Sequence, residues 1–564
     1  MSSKSHRVAT RGLGTLLLFV GWTATSCAPP PEPASLVITG ARVWTGDPEL
    51  PWAEAVAIDG EIIAAVGSTA EIESWIGIGT EVVSAPGNML VPGFIDSHVH
   101  FLSGGDSLAS VQLRDARTPE EFISRIAEFA RTLAPGEWIL NGTWDHQNWG
   151  GELPRRDWID AVTAENPVWI LRLDGHMGLA NSLALERAGI DADTAEIAGG
   201  AIVRDAAGRP TGVLKDNAMR LIFGSVPEPT EQQLDRYLDT AMRYVASHGV
   251  TTVHDVFADD FDGWASLAAY RRAEREGRLA TRIYAVAPLP DWQRLADDVA
   301  ANGSGGDWLK TGGVKGFMDG SLGSHTAAFL EPFTDAPGDR GFLINTVDDM
   351  RSWIRGADDA GLQVMVHAIG DRAIRDLLDL YAEVAQASPE KKRRFRVEHA
   401  QHIHPDDLGR FASQGVIASM QPYHAIDDGR WAEAVIGAER ARTTYAFESL
   451  IASGAHVAFG SDWYVAPASP IEGIYAAVTR RTLDGANPEG WVPEQKITVE
   501  QALRAYTVEG AYASFDEARK GSIQVGLLAD LVLLDRDLTA VEASTLRETK
   551  VLRTVVGGRT VFSQ

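Results

Sequence analysis

From Phe94 onward, short apolar runs alternate with longer stretches whose apolar positions recur at helical spacing. The runs are rich in Val, Ile, Phe and Met and read as buried strands, and the stretches between them read as amphipathic helices. Sustained alternation of this kind predicts a parallel α/β barrel wrapped by helices, the (β/α)8 TIM-type fold. Eight barrel strands are predicted, ending near His100, at His254 and Asp255, at Ala287, between Lys315 and Asp319, and at His367, His399, Gln421 and Asp462. The interval between the first two, about residues 101–249, is too long for one helix. It carries strand-like runs around Trp138 to Trp144 and Val168 to Leu173, and a hairpin-like segment from Ala201 to Leu214. An inserted subdomain over the barrel mouth is the expected reading.

The two ends of the chain have a different pattern. Residues 35–90 show short β-like runs, and Asp59-Gly60 between two of them is a hairpin signal. The style returns at 510–564, with runs at Asp530 to Asp535 and Val551 to Phe562. One small composite β-sandwich built from both termini is predicted, flanking a barrel over 91–509.

Ahead of it, Lys4, Arg7 and Arg11 precede an apolar run from Leu13 to Ala24, which is followed by Cys27 and a Pro-rich stretch over 28–34. A positive region, a short apolar core and small residues before a cleavage point predict a signal segment over 1–27. The segment ending in Cys27, the only cysteine, resembles a bacterial lipobox, although leucine is more usual where Ala24 stands. That resemblance implies lipidation of Cys27, export, and a lipid anchor to the cell envelope as the only membrane contact. Secretion with cleavage nearby and an uncleaved anchor are the competing readings. The composition, 45% hydrophobic and 23% charged over 564 residues, is that of a soluble globular protein. A formal net charge of −26, with Lys391 to Arg394 as the one short basic block, argues against nucleic acid as a partner. Nothing in the pattern assigns an oligomeric state.

His98 and His100 end the first predicted strand two residues apart, so their side chains share a face and can chelate a transition metal. A lone pair of this kind is more often packing. Here Lys315, His367, His399 and Asp462 each close a later strand, on the face where barrel active sites are built. Two divalent cations in a partly dry site need anionic ligands, and Asp462 supplies one charge. A lysine amine is a poor ligand, but with CO2 it forms a carbamate whose oxygens can bridge two metals. Lys310 is a nearby alternative to Lys315 but reads rather as a solvated or salt-bridged residue before the strand.

The set and its wording resemble the amidohydrolase superfamily, and within it the amidohydrolase-3 branch. The resemblance rests on Val314 to Ser324, Val366 to Asp371, Gly460 to Asp462, Gly521 to Ile523 and Ala529 to Asp535, and it runs from about Leu36 to Phe562. It implies His98 and His100 on the more buried of one or two ions, most readily zinc, Lys315 as the bridging carbamate, and His367 and His399 on the second ion. It also implies Asp462 as ligand and proton shuttle. The implied reaction is hydrolysis of non-peptide carbon–nitrogen bonds in a small amide, formamide or cyclic amide, through a metal-activated hydroxide. An esterase, lactonase or phosphoesterase using the same site, and a non-catalytic metal-stabilised surface lipoprotein, are the alternatives. His176, in Asp174 to His176, is expected either to polarise the substrate carbonyl or to be structural. His424 is expected to line the substrate pocket, as is His325, which stands where the family has arginine. His254 and Asp255 are expected to form a structural pair, His402 and His404 to be loop or solvated residues, and Trp144, Trp149 and Trp463 mainly to pack.

Overall fold

Every residue from Phe94 to Val99 is buried, and so is nearly every residue of the seven strands that pair in series after it, as parallel strands covered on both faces require. The computed structural model describes residues 32–256 and 263–564, so the signal segment and Cys27 lie outside the described residues. The barrel strands are β1 (Phe94–Val99), β2 (Val250–Asp255), β3 (Arg282–Pro288), β4 (Leu309–Phe317), β5 (Gln363–Ala368), β6 (Arg396–His399), β7 (Ile417–Met420) and β8 (Val457–Phe459). Each pairs in parallel with the next in chain order. The eight predicted strands are these.

Closure between β8 and β1 is made just past β8. The Asp462 amide donates to the His98 carbonyl at 2.7 Å, and the His100 amide donates to the Trp463 carbonyl at 2.7 Å. Gly460 permits this approach, because a Cβ there would sit 2.6 Å from the His98 nitrogen.

The insertion forms its own five-stranded sheet, in the order Gly200–Arg204, Pro210–Asp216, Met177–Ala180, Val168–Arg172, Ile139–Trp144. Phe122, Ile126, Trp144, Ile170 and Leu179 fill a core of its own. Two of its strand ends deliver Arg172 to His176 and Asp216 to the barrel mouth. The helix Glu231–Ser247, opened by a capping box at Thr230, follows the insertion. It buries Leu234, Leu238, Ala241 and Val245 along one stripe and feeds directly into β2. It is therefore the helix of the first β/α unit, and the insertion stops short of it rather than running to 249.

Strands from both termini form one eight-stranded sheet, with Leu531–Leu534 antiparallel to Met89–Pro92. The sheet curls back on itself. Ile63 N donates to Leu527 O and Ala529 N to Glu61 O, each at 2.8 Å, around a core that includes Ile38, Val43, Ile58, Leu90 and Leu531. A buried ion pair fastens it to the barrel, Arg282 Nε to Asp530 Oδ2 at 2.7 Å.

Candidate metal centre

His98 and His100 project from β1 and its end toward the Asp462 carboxylate. His98 Nδ1 lies 2.6 Å from Glu398 Oε2, and His100 Nδ1 lies 3.0 Å from the Val256 carbonyl. Both neighbours are acceptors, so the proton of each ring belongs on Nδ1 and the Nε2 lone pair is left over. Those lone pairs face the same oxygen: Asp462 Oδ1 is 3.0 Å from His100 Nε2 and 3.4 Å from His98 Nε2. Acceptors this close repel unless a cation lies among them. His98 Nε2, His424 Nε2 and Asp462 Oδ1 are buried without a hydrogen-bond partner, an arrangement that is costly without a ligand. Two groups, His98 with His100 and Asp462, and His399 with His424 and Asp462, each hold their ligand atoms within 4.8 Å of one another. The residues fit a divalent cation on the chemistry of their donor set.

The remaining expected ligands close around the same point. The His399 ring lies 4.7 Å from that of His98 and 4.5 Å from that of His367, and its Nδ1 meets Gln421 Oε1 at 2.9 Å. His367 Nε2 lies 3.0 Å from the Gly320 carbonyl. Lys315 is 1% exposed, with Nζ 4.6 Å from the centre of the Phe317 ring. Burial, reinforced by Lys315, drops His98 to about 4, and burial above all holds His367 and His399 well below the usual histidine range. These rings are neutral at pH 7, the state that ligates. Burial by itself would raise Asp462; positive charge on His98, His100 and His424 would hold the carboxylate below its ordinary range, and with those rings neutral that charge is left for a cation to supply.

A buried outer layer, which sequence reasoning missed, orients these groups. Arg396 and Glu398 stand two apart on β6, and Arg396 Nε donates to Glu398 Oε1 at 2.7 Å. The same guanidinium reaches the Ser97 carbonyl, Ser419 and His254 Nδ1. Asp96 accepts from the Ser461 amide at 2.8 Å, tying β1 to the segment after β8, and burial pushes it up to about 7. Asp319 accepts from the amides of Ala328, Ile369 and Gly370 at 2.8–3.0 Å. The available signal was a charged residue inside an otherwise apolar strand, as in Phe395 to His399.

The insertion covers this floor. The His176 ring is 4.8 Å from that of His367, and its Nδ1 lies 2.7 Å from Asp216 Oδ1. Burial would lower His176, but the hydrogen bond and charge of Asp216 outweigh it and the pKa is raised. Asp174 pairs with Arg172 at 2.6 Å and accepts from Ser324 at 3.1 Å. His424, from the helix Pro422–Asp428, lies 3.8 Å from Asp462 Oδ2. The cavity between floor and insertion has a volume of about 1210 Å³, counting its open part, and Leu171, Phe223, Trp431 and Tyr464 add apolar wall.

Several expectations need correction. His325 is not in this cavity. The backbone is left-handed at that residue (φ 54°), and the ring lies against Phe333 with Nε2 3.1 Å from Asp335. It opens on a separate cleft beside Lys215 and His146, and Ser321, Leu322 and Gly323 take the cavity wall instead. His254 and Asp255 are structural but do not pair with each other, since Asp255 accepts from the Phe101 amide at 2.7 Å and Tyr270 at 2.6 Å. His402 is buried against Phe329 and meets Thr444 at 2.9 Å, whereas His404 caps a helical turn. Lys310 is salt-bridged to Asp516 at 2.7 Å, as expected, but lies within β4 rather than before it. Trp144 and Trp463 pack, the latter stacked on Tyr244. Trp431 and Tyr464 are the aromatic wall residues that sequence reasoning did not single out.

Comparison with known proteins gives a consistent result. The sequence profile of the Amidohydrolase family matches residues 81–562. Protein LONG AFTER FAR-RED 3 of Arabidopsis thaliana is 39% identical over 551 residues, covering 96% of this chain and 94% of the plant protein. N-substituted formamide deformylase of Arthrobacter pascens is 30% identical over 547 residues, covering 93% of this chain and 97% of that enzyme. The crystal structure of an uncharacterized metal-dependent hydrolase from Pyrococcus horikoshii OT3 superimposes with a TM-score of 0.72 at 27% identity, over 90% of this chain and 99% of that one. A profile match over most of the length, full-length relatives and a superimposable metal-dependent hydrolase agree with a barrel whose strand ends gather four histidines, a lysine and an aspartate: the chain belongs to the amidohydrolase family.

Proposed function

We propose that the protein hydrolyses non-peptide carbon–nitrogen bonds in small amides or formamides, with a divalent metal held by His98, His100, His367, His399 and Asp462. The observation that carries this reading is the Asp462 carboxylate, buried, kept ionised, and set between two pairs of imidazoles. A cation held there would supply polarisation of a carbonyl oxygen and acidification of a water. The rest of the work falls to the chain. Asp462 is the base that takes the water's proton at Oδ2 and returns it to the departing nitrogen, which otherwise leaves as an unfavourable amide anion. His176, oriented by Asp216, which favours its protonated form, donates a hydrogen bond to the carbonyl oxygen as its negative charge grows. His424 lines the cavity beside Asp462, its Nε2 3.8 Å from Oδ2 and its ring kept neutral by burial. Lys315 is buried among histidines, where an ammonium raises the local positive charge. Its carbamate would reverse that sign and supply bridging oxygens.

The similarity to an N-substituted formamide deformylase makes the formamide C–N bond the first to assay. Matched panels of N-substituted formamides, acyclic and cyclic amides, esters, lactones and phosphoesters test the bond type. Formate or acid release from the nitrogen compounds, abolished by chelation and restored by zinc, is expected. Turnover confined to esters or phosphoesters would overturn the bond assignment. We also propose export and anchoring through lipid on Cys27. Cys27→Ser should move the protein from the membrane to the soluble fraction, and an unchanged distribution would overturn the anchor.

A further inference from the structure

A second cavity, about 1700 Å³ with its open part, lies against the insertion beside the metal-side cavity. The two share a wall: Leu171 and Phe223 line both. On the metal side these two residues belong to the apolar part of the wall. On the other side the lining continues in kind, with Trp138, Leu140, Trp169 and Tyr237. Phe223 ends the short helix Arg220–Phe223 and is only partly buried, its ring packed edge-on to Trp169 at 6.3 Å. Phe223 thus stands at the boundary between the two spaces. Among the described residues lining the second cavity, Asp106, Glu137 and Glu228 are acidic and none is basic. Asp106 is fixed by Asn141 Nδ2 at 2.6 Å.

We infer that the second cavity is a binding site for an apolar, uncharged aryl or alkyl arm of the substrate, which passes Phe223 while the scissile bond sits at the metal floor. The inference rests on the amide or formamide reading above. Aromatic and aliphatic walls reward burial of such an arm, and three carboxylates disfavour an anionic one. The polar floor selects the bond and the apolar extension selects what hangs from it. The site therefore predicts a preference for bulky N-substituents over small ones.

The test is a series of N-methyl-, N-benzyl-, N-(4-phenylbutyl)- and N-(4-carboxybutyl)formamide. Each buried methylene should raise kcat/KM about three- to fourfold, and the carboxylate arm should do no better than methyl. Leu140→Trp fills the cavity, and Trp138→Ala removes a wall in case the first variant folds poorly. Each should cost the phenylbutyl substrate about tenfold or more while leaving N-methylformamide unchanged. A long-to-short ratio unmoved in a folded variant would overturn the extended site and leave the hydrolase reading intact. If no formamide turns over, titration calorimetry with neutral 4-phenylbutanol still reads the cavity: weaker binding in Leu140→Trp supports it, and no binding to the wild type overturns it.

Discussion

Asp462 is an acceptor faced by acceptors, and that unfavourable arrangement is the clearest mark of function in the molecule. Its proposed role as proton carrier separates from its proposed role as ligand. Asp462→Asn should cut turnover by about 10²–10⁴, while metal analysis still finds ions held by the histidines. Unchanged turnover would remove the carboxylate from the chemistry. Asp428, on the cavity wall, tests the electrostatics away from the metal. Burial pushes it up to about 7 although Tyr445 donates to it at 2.5 Å. In the unfolded chain it titrates near 3.8. Between those values the folded state holds a proton that the unfolded state has lost, so this residue's contribution to stability falls as pH rises. Asp428→Asn removes the dependence. Its Tm relative to wild type should increase from about pH 5 to about pH 8, and a difference that shrinks over that range would contradict the protonated assignment.

The same physics operates between elements, where the β1–β8 seam and the insertion are held by few groups. At the seam, Gly460→Ala would drive a methyl into the His98 backbone. It should lower metal content at unchanged helix content by circular dichroism, and full metal retention would show that the seam tolerates displacement. Arg172 is the buried link between the insertion and its own acidic residues, Asp145 at 3.0 Å and Asp174 at 2.6 Å. Arg172→Met leaves Asp174 buried without its guanidinium partner and should cost about 3–5 kcal/mol in denaturant unfolding. A loss below about 1 kcal/mol would place the pair among the weak surface bridges. Strand positions were legible because apolar runs end in polar ligands, as at Val366-His367 and Gly460 to Asp462. The insertion's end was less so. The stripe of Leu234, Leu238, Ala241 and Val245 was present in the sequence, but nothing local to it says which sheet it covers.

For the whole molecule, the barrel and the terminal β-unit follow from hydrophobic periodicity. The residues gathered at the strand ends follow from their position in those runs. What periodicity does not carry is long-range pairing. Arg396 meets His254, Ser97 and Ser419 only once the barrel has brought β1, β2, β6 and β7 around one interior. His325 turned away because of a local backbone conformation that its apolar and polar neighbours do not encode. Trp431 reached the cavity from a loop after β7 that has no periodic signal. The account as a whole depends on a metal at the strand ends. The direct measurement is elemental analysis of the chain beginning after Cys27, purified without chelator, with Lys315→Ala alongside. The account predicts at least one divalent ion per wild-type chain and a lower content in the variant. No bound metal in the wild type, even after zinc is added back, would contradict it.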